Sequence, residues 1–226
     1  MDQMKRLAVY FAPRPGAFAD HAAAWLGWDA TRGESVPQPD LPGIPFPAVL
    51  TAEARRYGFH GTLRAPFRPA EGVGREEVAA CVAALAGRLP RVACEGLVIE
   101  NLQGFLALTP LGCEATLLEL AATVVEGTNG LRAPLTPAEI SRRRPESLTP
   151  RQRDLLQAWG YPYVMEEFRF HLTLTDRLPE PGPAMAALAG HFAPVLPRPF
   201  LIEDLCLFGE DAAGRFHLLH RYPLTG

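Results

Sequence analysis

The stretch FRFHLTLT, residues 168–175, alternates almost without fault. Phe168, Phe170, Leu172 and Leu174 fall on one side, and Arg169, His171, Thr173 and Thr175 on the other. That period of two is the mark of a β-strand with one apolar and one polar face. Half-buried strands commonly show solvent a mixture of Lys, Glu and Ser, whereas this one shows it His and Thr two residues apart. The arrangement occurs twice. FHGTL at 59–63 matches FHLTL at 170–174 in four of five positions, at an offset of 111 residues (171 − 60). After each His a helical pattern follows and then a pair of strands, and FLAL at 105 lies 111 residues before FHLL at 216. An offset kept through the last strand reads as an internal duplication.

The architecture this predicts is α/β of the α+β type, a single domain of two lobes related by a pseudo-two-fold. Lobe 1 covers about 1–112 and lobe 2 about 113–226, each a mostly antiparallel sheet with helices outside. One His-x-Thr face from each lobe turns to a shared cleft. Strands are expected at 6–13 and 57–67 and as an antiparallel pair near 92–110 that turns at Gln103-Gly104. Helices are expected at 16–28, 76–89, 113–126 and 184–191. Thr136-Pro137-Ala138-Glu139 and Thr149-Pro150-Arg151-Gln152 each offer a Thr cap, Pro at the first helical position and an acidic or amide residue at the third. The Pro- and Gly-rich stretch 28–56 sustains no period, which suits a flap over a site.

Composition narrows the class. The 226 residues are 48% hydrophobic with a net charge of −3, the make-up of a globular protein and not of one that grips nucleic acid by bulk charge. Cys81, Cys94, Cys113 and Cys206 show no CxxC and no small-protein disulfide spacing, so buried thiols in a reducing compartment are expected. The first apolar run is too short for a signal peptide and no run reaches transmembrane length, so the expected location is cytoplasmic, with no membrane contact.

Side chains at i and i+2 of a strand point the same way. Two such strands therefore bring His60, Thr62, His171 and Thr173 to one point. Imidazole titrates near neutrality, so one copy can act as a base while the other, protonated, acts as an acid. Hydroxyls donate to phosphate oxygens, each bond to a charged acceptor contributing roughly 1.5–3 kcal/mol. The set suits in-line displacement at phosphorus with no metal and no cofactor. Arg64, two residues beyond Thr62, and Arg143, in the SRRRP run at 141–145, are further candidates for holding phosphate. Tyr10, opposite in facing to Val9 and Phe11, is a candidate for the cleft wall. His217 and His220 are spaced to point to opposite strand faces, and His21 and His191 lie on expected helices with no partner in view, so all four read as structural. GVGREE at 72–77 lacks the spacing and the Lys of a phosphate loop.

The paired FHxTL motifs resemble those of the 2H phosphoesterase superfamily, and the resemblance covers nearly the whole chain. YGFHGTLRAPF, SLTPRQRDLLQAWGYPYV and FRFHLTLTDRL look like one branch within it, which is associated with phosphonate metabolism. The superfamily implies hydrolysis of cyclic or 2′-linked phosphodiesters, with His60 and His171 catalytic and Thr62 and Thr173 on the phosphate. The branch implies a small-molecule substrate such as phosphoribosyl 1,2-cyclic phosphate. Two other readings stand beside it: an RNA 2′,3′-cyclic phosphodiesterase, and a nucleotide-binding module without turnover.

Overall fold

The computed structural model describes residues 4–44 and 46–226; residues 1–3 of the expected lobe 1 and Pro45 of the Pro-rich stretch lie outside the described residues. The chain opens with strand β1 (Leu7–Phe11) and helix α1 (Ala17–Leu26). The stretch expected to be a flap contains a small hairpin, β2 (Trp28–Asp29) and β3 (Glu34–Ser35), a short helix α2 (Pro47–Leu50) and a 3-10 turn at Ala54–Tyr57. Next come β4 (Gly61–Phe67), α3 (Arg75–Ala86), β5 (Val92–Cys94), β6 (Gly96–Leu102) and β7 (Phe105–Leu111). The second half supplies α4 (Glu114–Thr128), α5 (Pro137–Arg142), α6 (Pro150–Trp159), β8 (Leu172–Thr173), α7 (Pro181–Phe192), β9 (Phe200–Ile202), β10 (Asp204–Glu210) and β11 (Phe216–Pro223).

Local chemistry explains the boundaries. Thr136 and Thr149 each close a reciprocal capping box, with Glu139 and Gln152 as partners and Pro next to the cap. Gln103 and Gly104 both take positive φ, the turn that a two-residue hairpin between β6 and β7 demands. The alternation at 168–175 yields a ladder of only two residues. The chain before it is occupied by a 3-10 turn at Met165–Glu167 and by a bond from the His171 imidazole to the Arg169 carbonyl.

Seven strands form one sheet in the order β11-β10-β1-β4-β8-β7-β6, every neighbouring pair antiparallel. Outward from the central β4/β8 pair, β4 is followed by β1 of its own half and then by β10 and β11 of the second half, whereas β8 is followed directly by β7 and β6 of the first half. The two repeats therefore exchange their last strands, and residues 1–112 and 113–226 do not each build a lobe. The match of FLAL to FHLL is corrected too: β7 sits inside the sheet beside β8, whereas β11 is an outer edge.

Strand alternation separates two faces. Leu7, Val9, Phe11, Leu63, Leu172 and Leu174 join the buried core, which also takes in Trp25 of α1, Val82 of α3, Leu120 of α4 and Leu188 of α7. Ala8, Tyr10, Cys206, Phe208 and Phe216 belong to a separate aromatic-rich cluster with Trp28. Cys94 and Cys113 form a disulfide, so of the four expected thiols only Cys81 and Cys206 are free. None of the helices described is long and apolar enough to cross a membrane.

Candidate active site

The site begins with one register. Gly61 of β4 pairs with Leu172 of β8, and both are buried toward the helices. Moving one residue either way in an antiparallel pair sets His60 opposite Thr173 and Thr62 opposite His171. All four side chains then occupy the face that Gly61 and Leu172 leave, with the two imidazoles on a diagonal about 7–8 Å long. Gly61 is the one difference between the two motifs, and packing requires it. A Cβ there would lie 2.3 Å from Cζ of Phe170.

Each imidazole is oriented in the same way. Nδ1 of His60 lies 2.9 Å from the Gly58 carbonyl and Nδ1 of His171 lies 2.8 Å from the Arg169 carbonyl, in both cases two residues back. A carbonyl only accepts, so Nδ1 carries the proton and donates, and Nε2 keeps its lone pair for chemistry. Gly58 has φ +69 and a Cβ on it would stand 2.5 Å from that of Ala30, so only glycine serves there. The His60 ring stacks on Tyr10 at 4.0 Å between centroids and meets Tyr57 at 5.8 Å, while His171 has Phe105 at 5.5 Å. Burial pushes His60 down from 6.5 to about 4, and the nearby His171 adds to this. Burial also lowers His171 below its ordinary value. With no anion in the cleft, both rings are neutral at pH 7.

His60, Thr62, Thr173 and Tyr10 line one cleft of about 270 Å³, closed by Tyr57, Tyr161 and Arg143. Arg143 lies over the Tyr161 ring at 4.8 Å, and no ion pair involving it is found among the described residues. Arg6 also lines the cleft but is held by both carboxylate oxygens of Glu210. His60, Thr62, Thr173, Tyr10 and Arg143 thus line one cleft, with His171 across the strand pair from Thr62.

Arg64 does not join them. Tyr10 pairs with Thr62 but Val9 pairs with Arg64, so β4 carries an extra residue between these pairs. This bulge turns Arg64 to the side of Val9, away from Tyr10. Its guanidinium is buried, donating to the Trp159 carbonyl at 2.9 Å and reaching Asn129 Oδ1 at 3.5 Å. Arg169 is taken up by Glu100 and His217 by Asp211. His21 and His191 do have partners, namely each other, at 5.1 Å between rings. No cluster of three or more potential metal ligands occurs among the described residues. Sequence reading missed Tyr57, Gly58 and Asp176. The only signal for Gly58 was its position two before the His, and the other two carried none.

Residues 62–217 match the family model described as "Protein of unknown function (DUF1045)", which is more than half of the sequence. The chain belongs to the DUF1045 family. Two relatives are named ribose 1,5-bisphosphate phosphokinase PhnN. One, from Janthinobacterium sp. (strain Marseille), is 37% identical over 235 aligned residues, covering 100% of this DUF1045 chain and 52% of the relative. The other, from Laribacter hongkongensis (strain HLHK9), is 39% identical over 214, covering 92% and 49%. The chain spans about half the length of these curated relatives. Among solved structures, E. coli LigT complexed with 3′-AMP superposes with a TM-score of 0.48 at 16% identity, covering 99% of this chain and 100% of that one. TT0787 of Thermus thermophilus gives 0.48 at 17% identity, covering 98% of each. Both scores are below 0.5 and add nothing to the fold described above.

Proposed function

We propose that this chain is a phosphoesterase that opens a cyclic phosphodiester on a small sugar phosphate, using His60 and His171 as a general acid/base pair. The observation that carries the reading is the pair of imidazoles, each with Nδ1–H committed to a carbonyl and Nε2 free, set diagonally with Thr62 and Thr173 between them. One Nε2 takes a proton from water as its oxygen attacks phosphorus. The ring P–O bond breaks, and the departing alkoxide takes a proton from Nε2 of the other imidazole, which the bound phosphate anion holds in its protonated form. Thr62 and Thr173 donate to the non-bridging oxygens, on which charge gathers in the transition state. Tyr10 walls the cleft behind His60. Arg143, resting on Tyr161, receives a second phosphate of the substrate.

The relatives' name suggests the sugar. A ribose 1,2-cyclic phosphate bearing a 5-phosphate, opened by water at the O2–P bond, becomes ribose 1,5-bisphosphate, the compound in that name. The segment they share with this chain carries no G-x-x-x-x-G-K-[ST] loop here, which favours ring opening over phosphoryl transfer for this chain.

The test is ³¹P NMR of EDTA-treated protein incubated with phosphoribosyl 1,2-cyclic phosphate, nucleoside 2′,3′-cyclic phosphates and a cyclic-ended RNA. Wild type is expected to open the first fastest, with chelator causing no loss. His60→Ala and His171→Ala should each lower turnover by about 10²–10⁴-fold with circular dichroism unchanged. Near-wild-type turnover in either variant sinks the mechanism. A preference for the RNA would redirect the substrate assignment, and no turnover on any of the three would leave a binding module.

A further inference from the structure

The wall beside His60 is held in place from the other repeat. The 3-10 turn at Ala54–Tyr57 brings in Tyr57, which stacks on Phe216 at 5.0 Å, and then delivers Gly58, whose carbonyl fixes the imidazole. The start of that turn is gripped by Asp176, three residues beyond Thr173. Its two carboxylate oxygens accept from the backbone N–H groups of Glu53 at 2.9 Å and Ala54 at 3.0 Å. Its own N–H donates to the Leu50 carbonyl at 2.7 Å. The preceding residue, Thr175, is buried and accepts the Leu106 N–H on Oγ1 at 2.9 Å, so the backbone carrying Asp176 is itself tied to β7. A carboxylate accepting two backbone N–H bonds makes a strong, directional clamp.

We propose that Asp176 is a positioning residue for His60. It pins the 50–57 segment to the end of β8, so that the Gly58 carbonyl and the Tyr57 ring keep Nε2 of His60 aimed between Thr62 and Thr173. The effect on turnover rests on the two-histidine reading; the effect on the ring itself does not.

The test uses the full chain with Asp176→Ala and Asp176→Asn, the second of which keeps one acceptor oxygen at nearly the same volume. The first readout is the titration of the His60 and His171 ring protons by NMR. The groups facing His60 are Tyr10 from β1, Tyr57 from the turn and His171 just before β8, and Glu53, Arg6, Arg143 and Asp176 itself line the same cleft. Of these only Asp176 changes, and losing its carboxylate would by itself lower the His60 midpoint, opposite in sign to the shift expected here. In Asp176→Ala the loosened turn admits water to the ring, so the His60 midpoint should climb from about 4 toward 6.5, while that of His171 stays put. The second readout is the split between kcat and KM on whichever cyclic phosphate wild type opens. A drop in kcat of about 10- to 100-fold with KM nearly unchanged is expected, as follows from misaiming a reacting group. Asp176→Asn should fall between wild type and Asp176→Ala on both readouts. A His60 midpoint unmoved in a folded Asp176 variant, with only the melting temperature lowered, would overturn the proposal. Should the Ala variant not fold, the Asn variant decides by the same criterion. If wild type opens no cyclic phosphate, the two-histidine reading fails while the titration still decides the role of Asp176.

Discussion

A methyl group on Gly61 has nowhere to go. It would stand 2.3 Å from Cζ and 2.6 Å from Cε2 of Phe170, a buried ring that also contacts Phe11 and Phe200. Gly61→Ala should therefore lower stability by roughly 1–3 kcal/mol in urea unfolding, the usual cost of overpacking. Adding Phe170→Leu should recover part of that loss, and no recovery would mean the strain lies elsewhere. The sequence shows that the two motifs differ at this one position but not which ring claims the space. His60 and His171 were legible because their pattern repeats. Asp176 was not, since its hydrogen-bond partners lie 122 and 123 residues away. At the same scale, a reaction needing one neutral and one protonated imidazole should have kcat/KM peaking on the acid side of 6.5, because burial lowers both rings in the free protein. An anionic substrate raises both, so kcat should peak at a higher pH than kcat/KM. Coincident profiles would count against the assignment.

The elements carry the next layer. The bulge in β4 converts Arg64 from a candidate phosphate ligand into a clasp on the end of α6. Arg132 joins it, donating to the Ala158 carbonyl and Asn129 Oδ1, each at 2.8 Å. Cations at a helix C-terminus satisfy orphan carbonyls and the helix dipole together. Gly160 and the cleft residue Tyr161 follow directly. Arg64→Met should cost roughly 1–3 kcal/mol, the penalty for stranding the Trp159 carbonyl. At the other end of α6, Thr149→Ala should cost about 1 kcal/mol through its lost cap. Chemical denaturation of both variants checks this, and equal, negligible effects would mean that α6 is held by packing alone. Periodicity gave the Thr caps away, because a capping box is complete within four residues. It could not reveal the bulge, which depends on the pairing of β4 with β1.

For the molecule as a whole, the α+β class was legible; the pairing of strands from one half of the chain with strands of the other was not. Alternation says which face a residue takes, never which strand lies next to it. Nor did the cysteine spacing show that Cys94 and Cys113 would have Cα atoms 5.1 Å apart. The half-buried histidines set an acid limit on stability. His60, His171 and His191 all sit below 6.5 when folded, so the unfolded chain takes up protons first as pH falls. Stability should therefore decline from pH 7 toward pH 4, before the ion-paired carboxylates begin to protonate. Urea midpoints in that range should fall less in His60→Ala than in wild type. An equal fall would place the proton uptake elsewhere.

The exchanged strands also bear on how the protein is made. β1 is flanked by β10 and β4, so it must wait for a strand synthesised about two hundred residues later. Until β8 is released, β4 has no neighbour on its far side and the two imidazoles have not met. Long-range pairings of this kind slow folding and leave strand edges open meanwhile. As the chain is made, β1 and β4 therefore pair with each other while each keeps one open edge, and the cleft closes only once β8 has been added.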